Sequence, residues 1–184
     1  MTSKTCARSS RPSSPDARMK GAVKDANVLI DLVEGDLLGP WFRIGIETHV
    51  PDLVLEEIKN PEQRRIVLAM IEAGHLKVGT FDSMQVIRID SYRRLYRVSL
   101  ADAAAILLAE RLHATLLSGD KLVRKGGQSL GIEVRGLLWV FDELVHRELL
   151  DAADAALRLH RVVEAGARLL ADEVQARLRK WRSD

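Results

Sequence analysis

The 184-residue chain holds one cysteine, Cys6, so no disulfide can close within it and no cysteine-based zinc site can be built. Aromatic residues are scarce, at 4%. That argues against a stacking platform for single-stranded nucleic acid and leaves a core of Leu, Val, Ile and Ala. No apolar run approaches the roughly 18–20 residues of a membrane span. The first residues lack the apolar stretch of a signal peptide, which makes the cytoplasm the default compartment. Net charge is also small, at +2, and unevenly spread. Residues 1–24 carry six basic side chains (Lys4, Arg8, Arg11, Arg18, Lys20 and Lys24) against Asp16 alone, hence +5, which leaves the remainder at −3. The basic balance therefore belongs to the start of the chain, and a body that binds RNA needs a local basic patch or metal ions to meet the phosphates.

What is present is an ordinary globular balance, 47% hydrophobic and 29% charged, enough for one domain with an added helical segment. Residues 1–20 are rich in Ser, Pro and Arg and read as a disordered basic tail, either inert or an RNA tether. Met19, just ahead of the patterned sequence, is a candidate true start. From Gly21 short apolar runs alternate with helical periodicity. Strands are expected at Ala22–Lys24, Glu47–Val50, Leu76–Phe81, Ala114–Leu117 and Ile132–Arg135. Helices are expected at Asn27–Leu38 (stopped by Gly39-Pro40), Pro51–Lys59, from Pro61 to Gly74, Ser83–Tyr96, from Ser99, Lys121–Leu130 and Leu137–Leu149. This order predicts a parallel sheet covered by helices on both faces over residues 21–150. Residues 151–184 read as a C-terminal helical extension. Its stripe of Leu170, Val174, Leu178 and Trp181 suits either packing on the body or a partner or dimer contact.

Four carboxylates fall where strand gives way to helix: Asp25 in V-K-D-A-N-V-L-I, Glu57 in V-P-D-L-V-L-E-E-I, Asp102 in S-L-A-D-A-A-A-I and Asp120 in L-L-S-G-D-K. In an open parallel sheet such places converge on one crevice. Acids gathered there repel one another, and a divalent cation resolves the conflict; oxygen ligands suit Mg²⁺ or Mn²⁺. Each acid also has an ordinary structural reading. Asp25 can cap a helix, although Asn27 can serve instead and leave Asp25 directed at the crevice. Glu56 rivals Glu57, which lies nearer the margin of the apolar face. Asp102 stands at capping-box spacing from Ser99, and Asp120 follows a plain turn signal.

Taken in order, D-A-N-V-L-I-D-L, V-P-D-L-V-L-E-E-I, S-L-A-D-A-A-A-I and L-L-S-G-D-K resemble a PIN-domain ribonuclease of the VapC-like toxin type, over about residues 21–150. The run I-E-V-R-G-L-L-W-V at 132–140 looks like an uncharacterised toxin-like subgroup. The resemblance implies a three-layer α/β/α sandwich with a central parallel sheet of about five short strands, and an acidic pocket that binds Mg²⁺ or Mn²⁺ and hydrolyses RNA. It carries Asp25, Glu57, Asp102 and Asp120 over as catalytic and metal-site acids, with Asn27 and Ser118 in support. Where the family has Thr, this chain keeps a hydroxyl at Ser118, followed by Gly119. Arg93, Arg94 and Arg97 before the Asp102 helix, and Lys121, Arg124 and Lys125 after Asp120, are candidate RNA contacts or simply solvated charges. A small antitoxin partner and a homodimer are further implications.

Other chemistries find less support. The five histidines (His49, His75, His113, His146 and His160) form no close pair, which disfavours a His-based ribonuclease. No Gly-rich P-loop exists, and Asp25 is followed by Ala26-Asn27 rather than a second Asp, unlike common phosphohydrolases. A non-catalytic PIN-like scaffold or regulatory protein, and a PIN ribonuclease that processes RNA without being a toxin, remain as alternatives.

Overall fold

The computed structural model describes residues 21–181. The tail at 1–20, Cys6 and the candidate start at Met19 lie outside them. Five parallel strands form one sheet: β1 Ala22–Lys24, β2 Thr48–Pro51, β3 Leu76–Gly79, β4 Thr115–Leu117 and β5 Val134–Arg135, in the order β3-β2-β1-β4-β5. The chain therefore moves outward from β1 to β3, then crosses back to place β4 on the other side of β1. The β1/β4 pair is the topological switch point, where the connections to the helices at Ala26–Glu34 and Lys121–Ser129 leave toward opposite faces and a crevice lies between them.

Helices cover both faces, as the alternation of buried strand residues requires. Ala22, Val50 and Leu117 face one apolar cluster with α1 (Ala26–Glu34), α2 (Leu38–Arg43), α3 (Asp52–Glu57), α4 (Pro61–Glu72) and α8 (Leu137–His146). Val23, Leu116 and Val134 face a second, built on α5 (Ser83–Tyr96), α6 (Leu100–Leu112) and α7 (Lys121–Ser129). Helix α6 is buried on all sides from Ala103 to Ala109. Its small residues let it lie close on the sheet, and the space where a Cβ would stand on Gly79 of β3 is taken by the Leu108 side chain.

The helix expected at Asn27–Leu38 is two helices. Asp36 adopts a left-handed conformation (φ 51°), and Gly35 packs so tightly on Val162 that a Cβ would approach it to 2.7 Å. Gly39-Pro40, read as a stop, lies inside the first turn of α2. Proline is tolerated there because first-turn amides have no intrahelical partner. Strand β2 starts one residue later than expected, β3 is shorter, β5 is reduced to a pair of residues, and α8 ends at His146.

Two more helices follow, α9 (Ala152–Glu164) and α10 (Ala171–Trp181). Val174, Leu178 and Trp181 join the first cluster, Trp181 lying 6.0 Å from the Phe141 ring, while Arg177 makes a forked ion pair with Asp142. The apolar stripe is thus spent on packing within the chain, except for Leu170, which is exposed. Among the described residues no helix is long and apolar enough to cross a membrane.

Candidate functional site

Asp25 follows β1 directly and is fully buried. Its backbone N–H donates to Leu117 O at 3.2 Å, so the ends of β1 and β4 are tied side by side. One carboxylate oxygen, Oδ1, accepts the Val28 N–H at 2.8 Å and caps α1. Asn27, the alternative cap, is exposed and does not serve. The other oxygen, Oδ2, is buried with no hydrogen-bond partner. A buried acceptor without a donor is unfavourable, and its usual explanation is a missing water or ion. Burial raises the Asp25 pKa to about 7; hydrogen bonding from Ser118 and Val28 opposes that rise, and the charges of Asp102 and Asp31 add to it.

Glu57 ends α3 and lies beside the start of α6. Burial, then the Asp102 charge, raise its pKa, while a hydrogen bond from Ser99 and the Lys59 charge act against them. Glu56 and Glu57 are both exposed as whole residues, so exposure does not separate the two rivals. What singles out Glu57 is its interaction with Asp102 and Ser99. Asp102 makes a capping box with Ser99: its amide donates to Ser99 Oγ at 3.0 Å, and its Oδ2 accepts the Ser99 N–H at 3.3 Å. The carboxylate does here what Glu or Gln usually does. Asp120 caps α7, its Oδ1 accepting from Leu122 and Val123 at 2.7 and 3.0 Å. Its own N–H donates to Ser118 Oγ at 3.1 Å.

The Asp102 charge thus acts on both Asp25 and Glu57, and the Asp120 amide is bonded to the buried Ser118. Asp25 and Asp120 flank the space beyond the carboxyl ends of β1 and β4, but among the described residues no group of three or more His, Cys, Asp or Glu side chains is gathered closely enough to hold a metal ion. The donor chemistry nevertheless fits a hard divalent cation, since the side chains are carboxylates and Asp25 Oδ2 is buried without a partner.

The basic candidates divide. Arg124 is half-buried, its Nη1 3.3 Å from the Ser118 carbonyl, at the rim of this space; Lys121 and Lys125 beside it on α7 are exposed. Arg93 and Arg94 are each paired with Asp90, whereas Arg97 ends α5 in a left-handed conformation (φ 59°). The histidines do not gather: His49 pairs with Glu47 and His75 stacks on Phe42.

Two residues escaped the sequence reading. Asp31, six positions after Asp25, is half-buried, and burial followed by the Glu34 charge raises its pKa to about 6. Lys24, next to Asp25, is completely buried, with Nζ unbonded and 3.8 Å from the Trp41 ring centroid. Strand alternation was the available signal for Lys24, because it puts this residue on the same inward face as Ala22.

No curated protein matches the chain. Among solved structures, the crystal structure of PAE2754 from Pyrobaculum aerophilum is similar in fold, with a TM-score of 0.51 at 12% identity, covering 68% of this chain and 97% of that one. The DUF3368 family model, described as a PIN domain, matches residues 21–183. A match across nearly the whole described chain, on a five-stranded parallel sheet with acids at its switch point, places this protein in the PIN-domain family.

Proposed function

We propose that the chain is a metal-dependent ribonuclease that hydrolyses RNA phosphodiester bonds, and that it acts as the toxin of a toxin–antitoxin pair. PIN domains are generally nucleases. The observation that carries the reading is the buried, unpartnered Asp25 Oδ2 at the end of β1, on a carboxylate that the Asp102 charge also reaches.

In this reading Asp25, Glu57, Asp102 and Asp120 hold Mg²⁺ or Mn²⁺. When bound, such a cation supplies Lewis acidity toward water and charge neutralisation at the phosphate. The chain's own residues do the rest. Asp25 is oriented by the Val28 amide, which engages one carboxylate oxygen and leaves the other unbonded. Asp102 and Glu57 keep the space strongly acidic and therefore closed to a bare phosphate. The Ser118 hydroxyl accepts the Asp120 amide and favours the ionised form of Asp25, and Asn27 borders the same helix start. Arg124, with Lys121 and Lys125, offers cationic contact to the RNA backbone on the α7 side. Arg97 offers it on the α5 side, with Arg93 and Arg94 contributing less because Asp90 holds them. A protein nucleophile is not needed, so attack by water leaves a 5′-phosphate and a 3′-hydroxyl.

The partners in this reading are RNA and a small antitoxin, with a second copy of the chain as a further candidate. Since α10 spends most of its stripe internally, one apolar surface open to a partner is the row Met84, Ile87 and Leu95 on α5. A PIN ribonuclease that processes RNA without being a toxin uses the same site. A non-catalytic scaffold is the second reading, favoured by the engagement of Asp120 Oδ1 in a double cap. RNA cleavage with Mg²⁺ or Mn²⁺ tests the proposal on wild type and Asp102→Asn. Loss of activity in the variant and in EDTA supports it; equal activity in both proteins, or activity indifferent to EDTA, overturns it.

A further inference from the structure

Helix α5 is apolar on two sides. Inward it buries Ile89 and Tyr92 in the second cluster. Outward, Met84, Ile87 and Leu95 are 75%, 62% and 68% exposed. With Ser91 they stand at i, i+3, i+7 and i+11, which at about 100° per residue makes one stripe, roughly 16 Å long. Ser91 leaves a gap in it, because its hydroxyl donates to Ile87 O at 3.0 Å, back into its own helix. A hollow of about 430 Å³ opens there, bordered by Met84, Ile87, Arg88 and Ser91 with Asp82 and Gln85. A solvated helix face carries polar residues; a row of large exposed apolar ones marks a contact surface.

Charge borders the stripe. Arg88 lies on one side of it and Arg94 on the other, their side chains 53% and 74% exposed. Arg88 pairs with Glu110 at 2.8 Å and Arg94 with Asp90 at 2.7 Å, but exposed pairs of this kind are weak and exchange readily. From its cap at Asp82 to its end at Arg97, the helix holds Arg88, Arg93, Arg94 and Arg97 against Asp82 and Asp90, hence +2.

That charge selects the occupant. A second copy packed α5 on α5 would set +2 against +2, with Arg88 and Arg94 nearest the contact, and like charges so placed oppose association. Residues 1–20 carry the same sign, with five basic side chains against Asp16. RNA would meet Met84, Ile87 and Leu95, which bond no phosphate, and no aromatic ring stands in the stripe to stack a base. An acidic amphipathic helix answers both features. Its apolar side chains fill the hollow, and its carboxylates reach Arg88 and Arg94, as charges flanking a helix–helix seam do.

We propose that the outer face of α5 is a docking surface for an acidic amphipathic helix of a partner protein. None of the four stripe residues belongs to the carboxylate pocket, so this surface and the ribonuclease reading stand or fall separately.

The probe is a fluorescent peptide of about 18 residues, long enough to turn helical, with Leu at i, i+3, i+7 and i+11 and Glu at the flanking positions. A second peptide carries Lys in place of Glu. Binding to the full chain is read by fluorescence anisotropy, and oligomeric state by sedimentation. The Glu peptide should bind at least about tenfold more tightly than the Lys peptide, and Ile87→Asp should weaken it at least about tenfold. Arg94→Glu should weaken the Glu peptide and strengthen the Lys peptide. Both variants should unfold at the wild-type temperature, since the altered side chains are exposed. Glu-peptide binding that Ile87→Asp leaves unchanged, or a Lys peptide that binds equally well, overturns the docking surface. A wild-type dimer that Ile87→Asp splits gives the face to a second copy and overturns it too. So does single-stranded RNA that displaces the Glu peptide and loses its own binding in Ile87→Asp.

Discussion

The Lys24 ammonium stands 3.8 Å from the centroid of the Trp41 ring, in a fully buried position one residue before Asp25. Trp41 is itself fixed, its Nε1 donating to Thr48 Oγ1 at 2.9 Å. The ring face offers a favourable contact to Nζ, which makes no hydrogen bond among the described residues. Burial drives the Lys24 pKa well below its ordinary value, and the Asp25 charge only partly opposes this.

An ammonium without a hydrogen bond in such a place is a net burden on the fold. Lys24→Met keeps the length of the side chain and its contact with the ring while removing the charge. The variant should be more stable by about 1–3 kcal/mol at pH 7, seen as a higher urea midpoint at unchanged slope. A lower midpoint would show that the contact with Trp41 outweighs desolvation.

Asp25 sets the pH dependence of the metal-free protein. Its folded pKa is about 7 against an ordinary 3.8, so between these values the folded chain holds a proton that the unfolded chain has released. Stability therefore falls as pH rises through that window. Asp31, raised to about 6, adds a fall of the same sign. Lys24 acts oppositely: its folded pKa lies well below the ordinary 10.5, so from the folded value up to 10.5 its contribution makes stability rise with pH. In EDTA, Asp25→Asn should flatten the decline between pH 4 and 7 and exceed wild type in stability at pH 8, measured by urea unfolding; with Mn²⁺ supplied instead, its RNA cleavage should fall well below that of wild type. A decline that survives in Asp25→Asn would assign the dependence to another group.

Cation binding should reverse this pattern. Mn²⁺ at about 100 times its dissociation constant should stabilise wild type by about 2.7 kcal/mol, raising Tm, with the gain growing above pH 7 as Asp25 gives up its proton. Asp25→Asn should show little or no shift. An equal shift in both proteins would place the cation elsewhere.

Asp120 separates the roles of cap and ligand. Asn is as good an N-cap as Asp, whereas Ala is not. Asp120→Asn should leave stability nearly unchanged, and Asp120→Ala should lower it by about 1 kcal/mol. If Asp120 serves the reaction, both should lose cleavage to a similar degree. Activity that tracks stability instead would reduce Asp120 to its cap.

On RNA, Arg124→Ala should reduce the salt dependence of binding by about 0.7 in the log–log slope, the single-strand value for one phosphate contact. Arg94→Ala should change it less, because Arg94 is held by Asp90. Equal slopes for wild type and Arg124→Ala would remove Arg124 from the interface.

Much of this architecture was legible because strand and helix periodicities differ and the apolar runs are short: α5 at Ser83–Tyr96 and the position of β1 agree with the pattern, and the parallel sheet follows from the alternation. The break after Glu34 was not, since it depends on Gly35 meeting Val162, a residue more than a hundred positions away. The acids were legible as places but not as roles. Cap and ligand were weighed as rivals at Asp25, Asp102 and Asp120, yet a carboxylate has two oxygens. In each of these residues one oxygen serves the backbone, so a capping role does not by itself use up the carboxylate. Lys24 went unnoticed because a lysine reads as surface by default, and the ring of Trp41, from α2, is what makes its burial tolerable.

The insertion of β4 between β1 and β5 also has a meaning in time. Asp25, Glu57 and Asp102 are all synthesised before the strand that completes the pocket, and Asp25 gains its neighbour Ser118 only when Leu117 bonds to the end of β1. A growing chain thus carries the acids without the pocket. In the ribonuclease reading, late closure keeps the unfinished polypeptide inert beside the ribosomal RNA that is making it, and activity arrives as a single event once the sheet is whole.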